Sequence, residues 1–381
     1  MSKKMKFKFK FKLSVNQLKT NESKKEFIEK SYYLDEKIEK CEIKNQIIYF
    51  FFNQTINVKN INLLKKKIRK LVKRLGAIND KIKTEILFEN NIKIKGVRKT
   101  FLKLKKTHQL EQVSNGLFSI KGNLLRKIRK LDFYLNNYAK KEKYEEMFAH
   151  NLLPLETLYN NGYLSNFAHH ATVCSHFERN ITSIDKISNL KNYNEKLIHK
   201  KLTKPDLALS PTVCYHCFEN LKNKKINNNK VFNIKSSCSR FESKNFKTLE
   251  RLHIFTMREY VAYGSMNFIE IFLDKNLAFF KKKFLKSGIK FRIVTASDPF
   301  FSDIGMKRML YQNMNYLKKE FQFWLPNEKK WLAVGSFNNH LNSLSTKYNI
   351  RGKKNNFINS GCIGWGYERF IYALISQNKT I

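Results

Sequence analysis

The segment Asn359-Ser-Gly-Cys-Ile-Gly-Trp-Gly-Tyr-Glu-Arg369, followed by the apolar run Phe370 to Ile375, constrains the fold more than any other stretch of this chain. Gly364 and Gly366 stand directly before an acid and an arginine that open an amphipathic helix. With no side chain at those two positions, backbone and guanidinium can both approach a phosphate group. An ordinary glycine turn ahead of a C-terminal helix has the same local pattern, so the rest of the chain must decide.

At 381 residues the chain is long enough for two domains, since single cores stop growing near ~250 to 300 residues. All five prolines follow residue 153, which points to a basic front region over 1–110 and a turn-rich body over 111–381. The net charge of +43 fits a polyanion partner such as RNA or an acidic protein. It equally fits compositional drift, because Lys, Asn, Ile, Phe and Tyr crowd every part of the sequence and charge spread so widely localises no partner. Six cysteines are too few for a disulfide scaffold, which implies a reducing, cytoplasmic setting. Near the amino terminus the longest apolar stretch, Ile47 to Phe52, has strand length and is far too short to span a bilayer.

In the front region, Val58, Ile61, Leu64, Ile68, Leu71 and Leu75 recur at helical spacing behind Asn57 as a cap, with Gly76 as the stop. The opposite face carries Lys65, Lys66, Lys67, Arg69, Lys70, Lys73 and Arg74, either a solvated basic face or one for a polyanion. Ile86 to Phe88 reads as a strand. Helices are expected from about Lys121 to Tyr144, around Asn267 to Lys286 and from Met306 to Tyr316. Thr172-Val-Cys-Ser-His176 echoes Thr212-Val-Cys-Tyr-His216, by coincidence or as two similar strands; Asn220 to Asn233 reads as a surface loop.

Cys238-Ser-Arg-Phe-Glu242 and Arg251-Leu-His-Ile-Phe255, joined by a polar stretch, predict a hairpin with Arg240 and Glu242 on one face. An arginine for a phosphate, an acid for an exocyclic amine and a ring for a purine make a workable ATP site, and a plain structural hairpin has the same pattern.

The hairpin resembles motif 2 of class II aminoacyl-tRNA synthetases, and the glycine segment resembles motif 3. The resemblance narrows to the amino acid:carrier protein ligases, truncated relatives of zinc-dependent seryl-tRNA synthetases. It rests on Gly162-Tyr-Leu, Leu209-Ser-Pro-Thr-Val-Cys-Tyr215, Phe255-Thr-Met-Arg-Glu259, Ala296-Ser-Asp-Pro-Phe-Phe301, Ser336-Phe-Asn338 with His340, and Ser360-Gly-Cys362, in the family's order. The resemblance implies an α+β fold with a six- or seven-stranded antiparallel sheet. It also implies that Arg240 clamps the α-phosphate, Glu242 meets the adenine amino group, Phe255 stacks on adenine and Arg369 holds the γ-phosphate. Ser336 and Asn338 would face the amino acid, and Phe148 to Pro154 occupies the place of motif 1, where a homodimer would form.

The same resemblance implies a catalytic zinc held by Cys214, Glu259 and Cys362, a three-ligand set with an open fourth position. Cys214-x-x-Cys217 leaves a closed structural site with Cys174 or Cys238 as the alternative. Cys41, Cys174 and Cys238 otherwise read as buried hydrophobes, and His169, His170 and His176 as surface or loop histidines. Where the family holds magnesium through an acid, this chain has Gln322; Glu320 would substitute if the strand carries a bulge. The expected reaction is adenylation of a small amino acid and transfer to the phosphopantetheine thiol of a carrier protein. The alternatives are seryl-type charging of tRNA, disfavoured because the best front helix has under twenty residues, and a non-catalytic RNA-binding paralogue.

Overall fold

The computed structural model describes residues 7–14, 17–18, 20–79, 84–297, 311–312 and 314–381. Most of the helix expected at 306–316, and the Asp298–Phe301 part of the Ala296 segment, lie outside the described residues.

Residues 7–79 build a small body with its own core. Strand β1 (Phe7–Lys12), strand β2 (Ile38–Lys44) and strand β3 (Ile47–Phe52) pair antiparallel in the order β1-β3-β2. Lys and Phe alternate in β1, so Phe9 points inward to join Phe50, Phe52 and Phe27, while Lys8, Lys10 and Lys12 point out. Helices Asn21–Ser31 and Val58–Asn79 supply the rest of that core. Asn57 caps the second helix by accepting from the Asn60 amide at 2.9 Å. That helix is 22 residues long and runs through Gly76, longer than its sequence pattern indicates. Ile68, Leu71 and Leu75 are buried as expected, but Val58 is 73% exposed, because the buried stripe starts at Ile61.

The strands that follow are β4 (Ile86–Glu89), β5 (Leu110–Ser114), β6 (Leu117–Ile120), β7 (Glu145–Phe148), β8 (Leu152–Pro154), β9 (Val173–Cys174), β10 (Leu207–Leu209), β11 (Lys230–Ser239), β12 (Ile254–Gly264), β13 (Phe291–Thr295), β14 (Lys318–Leu325), β15 (Lys330–Leu341) and β16 (Asn359–Gly366). Eight of them form one sheet in the order β4-β13-β14-β15-β16-β12-β11-β7. The sheet thus exceeds the expected six or seven strands, and β7 departs from the antiparallel pattern by running parallel to β11. Because β4 pairs with β13, the body begins ahead of residue 110, where composition had drawn the division. Composition changes at the first prolines, not at the first sheet partner.

Helices Gly122–Lys141, Met266–Lys286 and Tyr367–Ser376 cover one face of the sheet. Alternation divides the strands cleanly: Phe321, Phe323 and Leu325 of β14 enter the core, while Glu320, Gln322 and Trp324 face the other way. Trp365 of β16 is the centrepiece, with ring centroids at 4.6 Å from Phe280, 5.7 Å from Phe321 and 5.9 Å from Phe337. Gly364 and Gly366 lie within β16, so this segment is a strand running into the helix and not a glycine turn. The Thr172/Thr212 echo is not two similar strands either, since Val173–Cys174 is a strand and Cys214 opens the helix Cys214–Leu221. Of the expected loop at 220–233, the last residues already belong to β11.

Gly335 is a tight requirement of this core: a Cβ there would lie 2.3 Å from Cε3 of Trp365, a ring hemmed in by phenylalanines. Gly335→Ala should therefore destabilise the protein by about 1–3 kcal/mol through overpacking, read as a lower midpoint in urea unfolding with an unchanged slope.

Candidate active site

Strand β12 carries the site on the face away from the three helices. Its odd-numbered residues Phe255, Met257 and Glu259 face the site, while Tyr260 and Ala262 enter the helix-covered core. Glu259 is only 1% exposed. Its Oε1 accepts from Thr212 Oγ1 at 2.8 Å and from the Val213 amide at 3.3 Å, and its Oε2 accepts from the Cys214 amide at 3.0 Å. Register then delivers the rest: Gly364 of β16 lies opposite Glu259, and Cys362 lies opposite both Val261 and Asn338. A Cβ on Gly364 would meet Met257 Cε at 2.9 Å and Glu259 Cγ at an ordinary contact distance of 3.5 Å, so the tight neighbour at this position is the Met257 methyl.

The outcome is a buried trio, Cys214, Glu259 and Cys362, whose ligand atoms all lie within 4.8 Å of one another. Donation to Cys362, burial and the nearby Glu259 hold the Cys214 thiol well above its ordinary value. That same hydrogen bond draws Cys362 well below, against burial and with help from His340 and Asn338. Burial and the Cys362 charge push Glu259 up to about 7. Two thiols and a carboxyl competing for protons in a dry site form a donor set that a divalent ion stabilises, and tetrahedral zinc with bonds of ~2.0–2.3 Å takes such ligands. Asn338 Nδ2 donates to Cys362 Sγ at 3.4 Å and to Ser336 Oγ at 3.2 Å, while His340 Nε2 lies 3.5 Å from the same sulfur. The closed alternative does not form: Cys217 is buried against Met147 at 3.8 Å, and among the described residues no other group of three such ligands comes together. All six cysteines are free thiols; Cys41 and Cys238 are buried, whereas Cys174 is half-buried.

Beside the trio, β11 and β12 form the expected hairpin, and the turn residues 240–253 carry an arginine cluster. The Arg240 guanidinium lies 5.3 Å above the Phe255 ring while its Nε donates to Pro211 O at 3.0 Å. Arg369 donates to Glu250 O at 2.6 Å. Burial and then the charges of Arg251 and Arg240 lower its pKa, with Glu242 and Glu320 acting in the opposite sense. Three guanidiniums sharing one field form a natural seat for a polyphosphate. Arg251, absent from the sequence-derived set, donates to Glu242 at 3.2 Å and to Glu29 at 2.7 Å. Its signal was its position, the first residue of the return segment.

Glu320 and Gln322 share the site face of β14, and the ladder shifts register between Phe321 and Gln322. The partner order, Gly335 then Ala333, shows that the extra residue sits in β15 and leaves the alternation of β14 intact. Gln322 accepts from Arg292 Nε at 2.9 Å and donates to Glu320 Oε2 at 3.4 Å, while Lys318 Nζ lies 3.5 Å from Glu320 Oε1, so Glu320 is the one carboxylate of the two side chains. His169 and His170 are not simple surface histidines: the Tyr33 ring packs 4.8 Å from His169, and His170 Nδ1 lies 3.0 Å from Phe241 O. His176 is 64% exposed, as expected of a loop histidine.

Residues 196–378 match the tRNA synthetase class II core domain (G, H, P, S and T). The match gives this segment a class II synthetase-like fold. The chain is 29% identical over 181 residues to amino acid–[acyl-carrier-protein] ligase 1 of Bradyrhizobium diazoefficiens, covering 47% of this chain and 55% of that protein. It is 28% identical over 247 residues to the type-2 serine–tRNA ligase of Methanococcus aeolicus, covering 61% of this chain and 47% of that one. The chain thus spans about half the length of the curated relatives it matches. In fold it is similar to the Methanopyrus kandleri seryl-tRNA synthetase solved in complex with a tRNASec, with a TM-score of 0.70 at 18% identity, over 89% of this chain and 70% of that one. No helix among the described residues is long and apolar enough to cross a membrane.

The sheet is braced from behind by the residue next to Glu259. Arg258 donates to Asp132 at 2.8 Å, Asn233 at 2.6 Å, Asn136 at 2.9 Å and Tyr367 Oη at 3.0 Å. Removing Asp132 would leave that buried guanidinium short of its counter-charge, so Asp132→Ala should cost about 3 kcal/mol near neutral pH. Burial pushes the Asp132 carboxyl up, but Lys235, Tyr367 and Arg258 outweigh it and hold the group below its ordinary value. Its contribution is therefore present above pH about 4 and fades as pH falls through the lower folded value. Denaturation of both proteins across that range should show their stability difference shrinking in acid.

Proposed function

We propose that this protein activates an amino acid with ATP and transfers the aminoacyl group to an acceptor. The observation that carries this is the convergence, on one face of β12, of the Arg240, Arg251 and Arg369 cluster with the buried Cys214, Glu259 and Cys362 trio. Cations that seat a triphosphate next to a donor set suited to an amine-binding metal match the two halves of an adenylation reaction. In that step a carboxylate oxygen of the amino acid bonds to the α-phosphorus as the bond to the pyrophosphate oxygen breaks. The acceptor's nucleophile then attacks the acyl carbon and AMP departs.

Arg240 would hold the α-phosphate, Phe255 and Glu242 the adenine, and Arg369 with Arg251 the departing phosphates. Guanidiniums fixed by backbone carbonyls and carboxylates need little rearrangement as charge builds on the phosphorus, which is where the rate gain arises. Glu320 is the carboxylate available for magnesium, which binds through one or two carboxylates together with substrate phosphates. Cys214, Glu259 and Cys362 would hold zinc, which when bound supplies a Lewis-acid seat for the amino group of a small amino acid beside Ser336 and Asn338.

For the acceptor, the phosphopantetheine thiol of a carrier protein is supported by the 181-residue match to a carrier-protein ligase. A tRNA is supported by more of the chain. The fold likeness to the seryl-tRNA synthetase extends over more residues than 84–381 contain, and so into the first body. There the outer face of the small sheet sets Lys8 4.7 Å from the Tyr49 ring centroid and Lys40 5.6 Å from that of Phe51, a surface for stacking bases and contacting phosphates. A tRNA acceptor is the better supported of the two. A second copy seated on edge strand β7, where Phe148 is 77% exposed, belongs to the same proposal.

Purified protein should carry one zinc per chain by elemental analysis, lost in Cys362→Ala. Pyrophosphate exchange should fall about 100-fold in Arg240→Ala; exchange at the wild-type rate in that variant would place ATP elsewhere. With ATP, magnesium and serine or another small amino acid, labelled product should appear on total tRNA. Label on a holo carrier protein, with tRNA uncharged, would favour the other acceptor.

A further inference from the structure

The first body reaches Arg251 of the proposed nucleotide site through the Glu29 side chain. Glu29, in the last turn of helix Asn21–Ser31, pairs its Oε2 with Arg251 Nη2 at 2.7 Å, and the other half of the Arg251 fork goes to Glu242 at 3.2 Å. Arg251 is thereby gripped by two carboxylates from distant parts of the chain. We infer that Glu29 is a positioning residue for nucleotide binding, through which the first body sets the geometry of Arg251; the inference rests on the adenylation proposal above.

Three observations support it. Residues 240–253 between β11 and β12 have little regular structure, and Ser243 and Thr248 hold left-handed backbone at φ 52° and 43°, unfavourable for residues with side chains. Such a segment keeps one conformation only if outside contacts fix it. Those contacts come from the first body: Asn245 Nδ2 donates to the Glu29 carbonyl at 2.8 Å, Lys244 pairs with Glu39 at 2.8 Å, and Tyr33 Oη donates to Phe241 O at 3.4 Å. The Glu29 carbonyl is one of the unpaired acceptors at the end of its helix, so Asn245 completes the helix while the helix anchors the loop. Charge completes the case. Arg251 and Arg240 both act against the charge on Arg369, and the two flanking carboxylates Glu29 and Glu242 stabilise the charge on Arg251.

The test uses the full chain, with ATP affinity measured by calorimetry and the ATP KM and kcat by pyrophosphate exchange. Glu29→Gln should weaken ATP binding about tenfold, raising KM with kcat within about twofold, because it loosens a charge-assisted fork without touching the reacting atoms. Glu29→Asp, which keeps the carboxylate, should recover most of the loss. Glu39→Gln, which breaks a loop contact without removing a carboxylate from Arg251, should raise KM by clearly less than Glu29→Gln does. In an Arg251→Ala background Glu29→Gln should add nothing further. Unchanged or tighter ATP binding by Glu29→Gln, or an equal loss in Glu39→Gln, would overturn the inference while leaving adenylation intact. Failure of the wild-type chain to bind ATP would remove the adenylation proposal and this inference together.

Discussion

A carboxylate with almost no access to water, Glu259, organises this site. Its desolvation is offset by three donors, two of them backbone amides at the entry to helix Cys214–Leu221, so the sheet and the element above it are locked at one point. Everything around it follows from register. The same alternation that aims Glu259 at Cys362 sends Arg258 backwards into Asp132, Asn136, Asn233 and Tyr367. Neighbouring residues of one strand thus carry the chemistry on one side and the brace on the other.

The second constraint is electrostatic. A chain of +43 has cations to spare, yet the cluster beside β12 is arranged so that few of them stand alone. Arg240 and Arg369 each give Nε to a backbone carbonyl, and Arg251 divides itself between Glu29 and Glu242. Guanidiniums held by fixed protein partners present their charge in one place, which separates a binding site from a merely basic surface.

Much of this was legible in the sequence, for physical reasons that differ by residue. The trio and the hairpin were visible because period-2 strands and a recognisable order of motifs fix which side chains meet. The core helices were visible from their 3.6-residue spacing. Gly76 misled because glycine weakens a helix without ending it when the turn before it is packed, as Leu71 and Leu75 are. Arg251 and Glu29 were hidden for a different reason: they lie 222 residues apart, and nothing local marks a pairing across that distance. The same holds for Tyr33 against His169. The edge strand β4 was read as a strand but not as a member of the large sheet, since four residues carry no mark of their partner.

That edge strand bears on how the chain is made. Asn90, just beyond β4, donates to Ile289 O across 199 residues, so the partner of β4 does not exist until half of the protein has followed it off the ribosome. At roughly 5–20 residues per second, the delay is about 10–40 s. Throughout it the nascent chain exposes Ile86, Leu87 and Phe88 as a short unpaired strand beside an already closed first body. The brevity of β4 is then a protection: four residues offer too little ladder for a stable wrong partner, and the sheet can wait for its edge.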